Sequence, residues 1–216
     1  MQSNNRRDFL RATLAIGGGM ALSTGVVGTE VTQEKPSSET SARSGRRTNK
    51  RFRFGVLIET PETGRQLDPG YDEVIVPISK LVNPLEPNTT WPKMRDEIKS
   101  WGFPTRATSH FAETVRPLIG PDADFGLIRF FVQRAMARVS ELGVRLSGVY
   151  GGFFKVPDGL STTQAMDQCV RLVNMAADAA EPYGITIVLE PVGDPDTLWP
   201  LYVDAVKFAK RIARPN

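Results

Sequence analysis

Three side chains pair a reactive chemistry with a telling position: Glu59, His110 and Glu190. Glu190 has the clearest setting. It follows directly on Ile185-Thr186-Ile187-Val188-Leu189, a run of apolar and β-branched residues without alternation. That run predicts a strand buried on both faces, as in a parallel sheet. Pro191 then ends the ladder, because it has no N–H to donate. Ahead of the strand, Gly184 closes a long helical pattern as a C-cap residue. Helix, glycine, buried strand and terminal carboxylate make one unit of a βα-barrel, and such barrels place their chemistry at the carboxyl ends of the strands. Glu59 and His110 end two further predicted strands. Glu59 reads either as a carboxylate facing that end of the barrel or as a loop residue in solvent. His110 reads as a metal ligand, a hydrogen-bond partner for substrate or a packed ring. Tyr150, after a fourth strand, suits a pocket wall or a core plug.

The elements that must position these groups alternate regularly. The first strand is predicted over 52–58, and Thr60 to Gly64 begins a short helix that Asp68-Pro69-Gly70 breaks. A second strand covers Tyr71 to Ile78, with Val74-Ile75-Val76 as its β-branched centre. After a loop rich in Pro and Asn, Thr90 as N-cap and Pro92 in the first turn open a helix to Trp101, stopped by Gly102. Thr105 to Phe111 is a third strand. Gly120-Pro121-Asp122-Ala123-Asp124 leads into a helix with Leu127, Phe130, Phe131, Arg134, Met136, Val139 and Leu142 on one buried side. Val144 to Tyr150 is the fourth strand. Ser161-Thr162-Thr163-Gln164 is a capping box for a helix ending near Tyr183, with Ala165, Cys169, Leu172, Val173 and Ala176 inward. The fifth strand carries Glu190, and a last helix runs from about Leu198 to Ala213. The fold class is therefore α/β of the TIM-barrel type, incomplete at about five of eight βα units, since a whole barrel has eight.

Two segments precede it. Residues 1–28 pair a charged start, Asn5 to Arg11, with an apolar Gly- and Ala-rich run, the pattern of a signal peptide. Arg6-Arg7 followed by Phe9-Leu10 resembles a twin-arginine export signal, which implies a location outside the cytoplasm and membrane contact only through the leader. Residues 29–51 are polar and charged, a flexible linker. Residues 1–28 carry a net charge of +2 and residues 29–53 one of +4, which leaves −3 on residues 54–216 of a chain that totals +3. The basic balance thus belongs to the leader and linker, and charge gives no support to a nucleic-acid partner. The single cysteine, Cys169, excludes an internal disulfide and a cysteine-based zinc site.

Four stretches together resemble the xylose isomerase-like TIM barrels: Tyr71 to Leu81, Gly120 to Asp124, Val156 to Ser161, and Gly184 to Pro191. The resemblance runs over 52–216 in register. That superfamily holds sugar and sugar-phosphate isomerases and epimerases, inositol catabolic enzymes and endonuclease IV-type repair nucleases. It implies a divalent ion, Mn²⁺ or Mg²⁺, held by carboxylates and a histidine in the second half of the barrel, where hard oxygen donors suit such ions. The ion would polarise a carbonyl while a carboxylate removes the neighbouring proton. Glu190 matches the family glutamate at the end of the fifth strand, a metal ligand and acid/base. Lys155 stands near the place of a family arginine and is a candidate contact for an anionic sugar group, or a solvated lysine; His110 and Glu59 are the other candidate substrate contacts.

The pattern also departs from the family. Ile75 stands where many relatives have a glutamate, Gly151-Gly152-Phe153-Phe154-Lys155 replaces a Gly-Ser-Gly-Gly-like loop, and Val192-Gly193-Asp194 replaces Leu-Asn. Arg214-Pro215-Asn216 resembles the segment before the sixth strand, so the expectation is a C-terminally truncated barrel whose other metal ligands would lie beyond it. The resemblance implies a small sugar-like substrate and leaves room for a homo-oligomer. The rival expectations are a catalytically inactive barrel, alone or completed by a partner chain, and a sugar-binding module without catalysis. A nuclease needs several metal-binding histidines, and the chain has one.

Overall fold

Parallel strands need long crossover connections, usually helical, and here each strand pairs in parallel with the next in strict sequence order. A computed structural model describes residues 53–212 and 214–216. The expected leader and linker lie outside the described residues, as does the start of the first predicted strand. The strands are β1 (Gly55–Leu57), β2 (Glu73–Pro77), β3 (Thr105–Ser109), β4 (Leu146–Tyr150) and β5 (Thr186–Glu190). They form one parallel sheet in the order β1-β2-β3-β4-β5. A helix follows each strand: α1 (Pro61–Arg65), α2 (Trp91–Ser100), α3 (Phe125–Ser140), α4 (Thr162–Ala180) and α5 (Tyr202–Ile212). The described chain is thus five consecutive βα units of an incomplete α/β barrel.

Alternation along each strand sorts its side chains between two faces. Val74, Val76, Thr108, Ser147 and Val149 are buried on the helix-covered side, where the Thr108 hydroxyl donates to Ser147 Oγ at 2.9 Å. The other face belongs to the barrel interior, and Leu57, Leu146 and Val188 are exposed there. Strand β5 therefore does not have two buried faces, contrary to the prediction from its apolar run. Ile187 and Leu189 are half-buried against the helices, while Thr186, Val188 and Glu190 are exposed. Among the described residues nothing covers that inner side, and only the outer face has packing partners.

Local signals place most helix ends. Asp124 caps α3 by accepting from the N–H groups of Gly126 and Leu127, both at 2.9 Å, and Ser161 and Gln164 close the predicted capping box of α4. Gly184, at φ 61°, takes the left-handed turn that leads from α4 and the short 3₁₀ turn Glu181–Tyr183 into β5. Thr90 does not cap α2; its hydroxyl donates to Pro87 O at 2.8 Å and its own backbone is helical. The buried stripe of α3 is Ile128, Phe131, Val132, Ala135, Met136, Arg138 and Val139. Leu127 and Phe130, expected inside, are exposed, and Phe130 instead lies under the Arg134 guanidinium at 5.0 Å. Helix α5 begins later than predicted, because Leu198 and Trp199 pack into the core ahead of it. Cys169 is buried in α4 as expected, and burial pushes its thiol pKa up.

After β2 the chain forms a π-helix, Ile78–Val82, and a left-handed Asn83 where the sequence suggested only a loop. The cause lies 55 residues away in α3: Arg138 Nη1 donates to Val82 O at 2.9 Å and Asn83 O at 2.5 Å. Its Nη2 donates to Glu86 O at 2.6 Å and Pro87 O at 3.1 Å. An arginine only 3% exposed is tolerated because carbonyl oxygens take up the N–H groups of both terminal nitrogens. Its Nε is buried without a partner among the described residues. No helix among the described residues is long and apolar enough to cross a membrane.

Candidate active site at the carboxyl ends of the strands

The loops after β1, β2 and β3 bring together the first group of charged side chains. Glu59 accepts from Lys80 Nζ of the π-helix at 2.9 Å, and that contact, helped by the nearby His110, holds its carboxyl below the usual carboxylate range. Glu59 is thus a loop carboxylate in solvent, as one of its two readings had it, and half of an exposed ion pair. Strand β3 stops at Ser109, short of the predicted Phe111, because His110 turns out of the strand at φ 48°. A non-glycine residue at positive φ is costly and is kept only where its surroundings fix it. Here Ser79 Oγ donates to His110 O at 2.9 Å. The imidazole Nδ1 is buried with no hydrogen-bond partner among the described residues, the nearest carboxylate being Glu113 Oε2 at 3.9 Å.

The loops after β4 and β5 form the second group. Lys155 Nζ lies 2.8 Å from Asp194 Oδ2 and 3.6 Å from Asp196 Oδ2, which raises the lysine pKa and lowers that of Asp194. Lys155 is therefore a solvated lysine, its side chain 54% exposed, and it is paired with carboxylates rather than left open for an anion. Two departures from the family pattern meet in this pair: the lysine after β4 and the aspartate after β5 neutralise each other.

Glu190 differs from all of these. It pairs in register with Tyr150 across β4 and β5, and its side chain hangs on the interior face over Gly148, where a Cβ would come to 3.9 Å from its Oε2. Its carboxylate has no hydrogen-bond or ion-pair partner among the described residues. Gly151 holds the strand end close: a Cβ there would stand 2.6 Å from Trp199 Nε1 and 2.8 Å from Glu190 O. Tyr150 is half-buried, its ring folded against Gly152 and edge-on to Phe153 at 5.1 Å, so it forms a wall of this corner. Its hydroxyl also has no partner among the described residues.

One contributor was missed in the sequence. Arg116, in the loop after β3, sets its guanidinium 4.9 Å from the Phe153 ring. Nothing in the run Thr114-Val115-Arg116-Pro117 marks it; only the meeting of two loops distant in sequence does.

No family model and no curated protein sequence matches the chain. Solved structures do match in fold. A D-psicose 3-epimerase determined in the presence of D-fructose superposes with a TM-score of 0.59 at 15% identity, over 76% of this chain and 61% of that one. The 3-keto-D-glucoside 4-epimerase of E. coli gives 0.58 at 15% identity, over 75% and 65%. A family 2 AP endonuclease from Brucella melitensis gives 0.57 at 20% identity, over 76% and 66%. The fold is that of an α/β barrel. The chain spans 61% of the length of the D-psicose epimerase and 65% of that of the 3-ketoglucoside epimerase.

Proposed function

We propose that the chain is a sugar isomerase or epimerase of the xylose isomerase-like kind, with Glu190 as the carboxylate that moves a proton beside a carbonyl. The observation that carries this reading is the state of Glu190. Among the described residues it is the one carboxylate at a strand's carboxyl end that stands on the interior face without a polar partner. The likeness in fold to two sugar epimerases supports the same reading.

In this reading Glu190 accepts the proton from the carbon next to the carbonyl, and the C–H electron pair becomes the C=C bond of an enol. Tyr150, its register partner, donates its free hydroxyl to the carbonyl oxygen, where negative charge develops. Return of the proton from Glu190 to the former carbonyl carbon, with the proton of the neighbouring hydroxyl passing to the other oxygen, completes an isomerisation. An epimerisation needs the proton delivered to the opposite face of the first carbon by a donor other than Glu190. The divalent ion implied by the family resemblance finds no complete ligand set here. Among the described residues no group of three or more His, Cys, Asp or Glu side chains gathers to hold a metal, and hard divalent ions take about six or more oxygen ligands. The described residues therefore do not by themselves fit that ion.

The absence of a second carboxylate beside Glu190 favours one rival, a barrel that binds sugars without converting them. Incubation of the full chain with small ketoses and aldoses, followed by chromatography, separates the two. Conversion that falls by about two to four orders of magnitude in Glu190→Gln is expected, the range for a general base. Sugar binding with no conversion would favour the rival. A nuclease, the activity that the Brucella protein's name carries, is disfavoured by the single histidine.

We also propose that residues 1–28 direct export through the twin-arginine route. Replacing Arg6 and Arg7 with lysine should retain the protein in the cytoplasm on cell fractionation. Unchanged export would contradict it.

A further inference from the structure

A cavity of about 410 Å³ opens beside the rim between the loops after β3 and β4, lined by Arg116, Leu118, Ile119, Phe153, Lys155 and Pro157. Leu118 and Ile119 are buried beneath it, so its floor is apolar and fixed. Its cations are not equivalent. Lys155 is engaged by Asp194 and Asp196, a cluster of net charge −1. Arg116 donates only Nε, to Glu113 O at 3.2 Å; its two terminal nitrogens have no hydrogen-bond or ion-pair partner among the described residues. The Nε bond and the Phe153 ring at 4.9 Å place the guanidinium with its Nη1/Nη2 edge free of partners among the described residues. A fixed planar fork with free N–H groups is the geometry that takes up a phosphate or carboxylate bidentately.

The cavity is also tied to Glu190. Tyr150 pairs with Glu190 in register, Phe153 lies 5.1 Å from Tyr150, and Arg116 lies 4.9 Å from Phe153. Arg116 is therefore within about 10 Å of the Tyr150 ring. A short sugar chain with an anionic group at one end could span from the proton-transfer corner to this fork.

We infer that the Arg116 cavity is an anion subsite that selects sugar-derived substrates carrying a terminal phosphate or carboxylate over neutral sugars. Arg116 is the anchor and Phe153 is its platform, while Lys155, already engaged by Asp194 and Asp196, is not a second anchor. The inference rests on the isomerase reading only for what happens at Glu190, and binding alone tests it. Calorimetry on the full chain would compare fructose 6-phosphate, fructose and inorganic phosphate.

The phosphorylated sugar should bind roughly tenfold or more tightly than fructose, as loss of a charge-assisted bidentate contact implies. Arg116→Gln should abolish that preference, Arg116→Lys should keep part of it, and Glu190→Gln should leave it intact. Because Arg116 is exposed, these variants should fold normally, which circular dichroism checks. Equal affinity for the two sugars, no binding of either, or a preference that survives in Arg116→Gln would overturn the inference. A phosphate preference in a chain that converts no sugar would leave the subsite standing and remove the isomerase reading. Conversion of sugars without a phosphate preference would do the reverse.

Discussion

The rim of the barrel has two unlike halves. Above β1 to β3 the charges are held by protein: Glu59 is bound to Lys80, and Arg138 is surrounded by four carbonyl oxygens of the segment after β2. Above β4 and β5, Lys155 is paired with Asp194 and Asp196, but Glu190 and the Tyr150 hydroxyl, like the terminal nitrogens of Arg116 in the neighbouring loop after β3, have no partner among the described residues. Charges satisfied by the protein fix loops. An unpaired carboxylate at the surface costs little to maintain, because water solvates it, and it stays available for a ligand. The contrast puts loop-fixing charges in the first half and the groups proposed for chemistry toward the second.

Substitutions should separate the halves. Glu190→Gln has the largest expected effect on turnover and almost none on the melting temperature; a large loss of stability would show that Glu190 is structural. Arg138→Ala comes next and acts the other way. It strips a buried charge from four carbonyl oxygens and should destabilise the fold by about 3–5 kcal/mol in denaturant titration, as breaking a buried charged network does. A cost below about 1 kcal/mol, the level of a surface pair, would contradict the clamp. The smallest effect belongs to Glu59. Its carboxyl is held by Lys80 below its ordinary value of about 4.5, so its stabilisation is complete above that value and fades as pH falls through the lowered one. Wild type should lose slightly more stability than Glu59→Gln on acidification below about pH 4.5, and salt should shrink the difference. Parallel acid profiles would mean that the pair contributes nothing.

Much of this was legible in sequence because it depends on local chemistry. The capping box at Ser161, the C-cap at Gly184 and the inward set Ala165, Cys169, Leu172, Val173 and Ala176 follow from near neighbours, and the structure has them all. The position of Glu190 followed from the strand–carboxylate–proline order. What escaped was decided by distant partners. The π-helix depends on Arg138 of α3, and the state of Lys155 depends on Asp194 after β5. Arg116 gains meaning only from Phe153 in another loop. The apolar run of β5 misled in a different way: apolarity reports what a strand can bury, and here only one face has something packed on it.

The most direct test is proton exchange at the substrate carbon. Fructose or fructose 6-phosphate incubated with the full chain in D₂O, followed by proton NMR, reports abstraction even when no net product accumulates. Deuterium entering beside the carbonyl with wild type, and only at the background rate with Glu190→Gln, is the predicted result. Equal incorporation by both proteins, or none by wild type while sugar binding is measurable, would contradict the role given to Glu190.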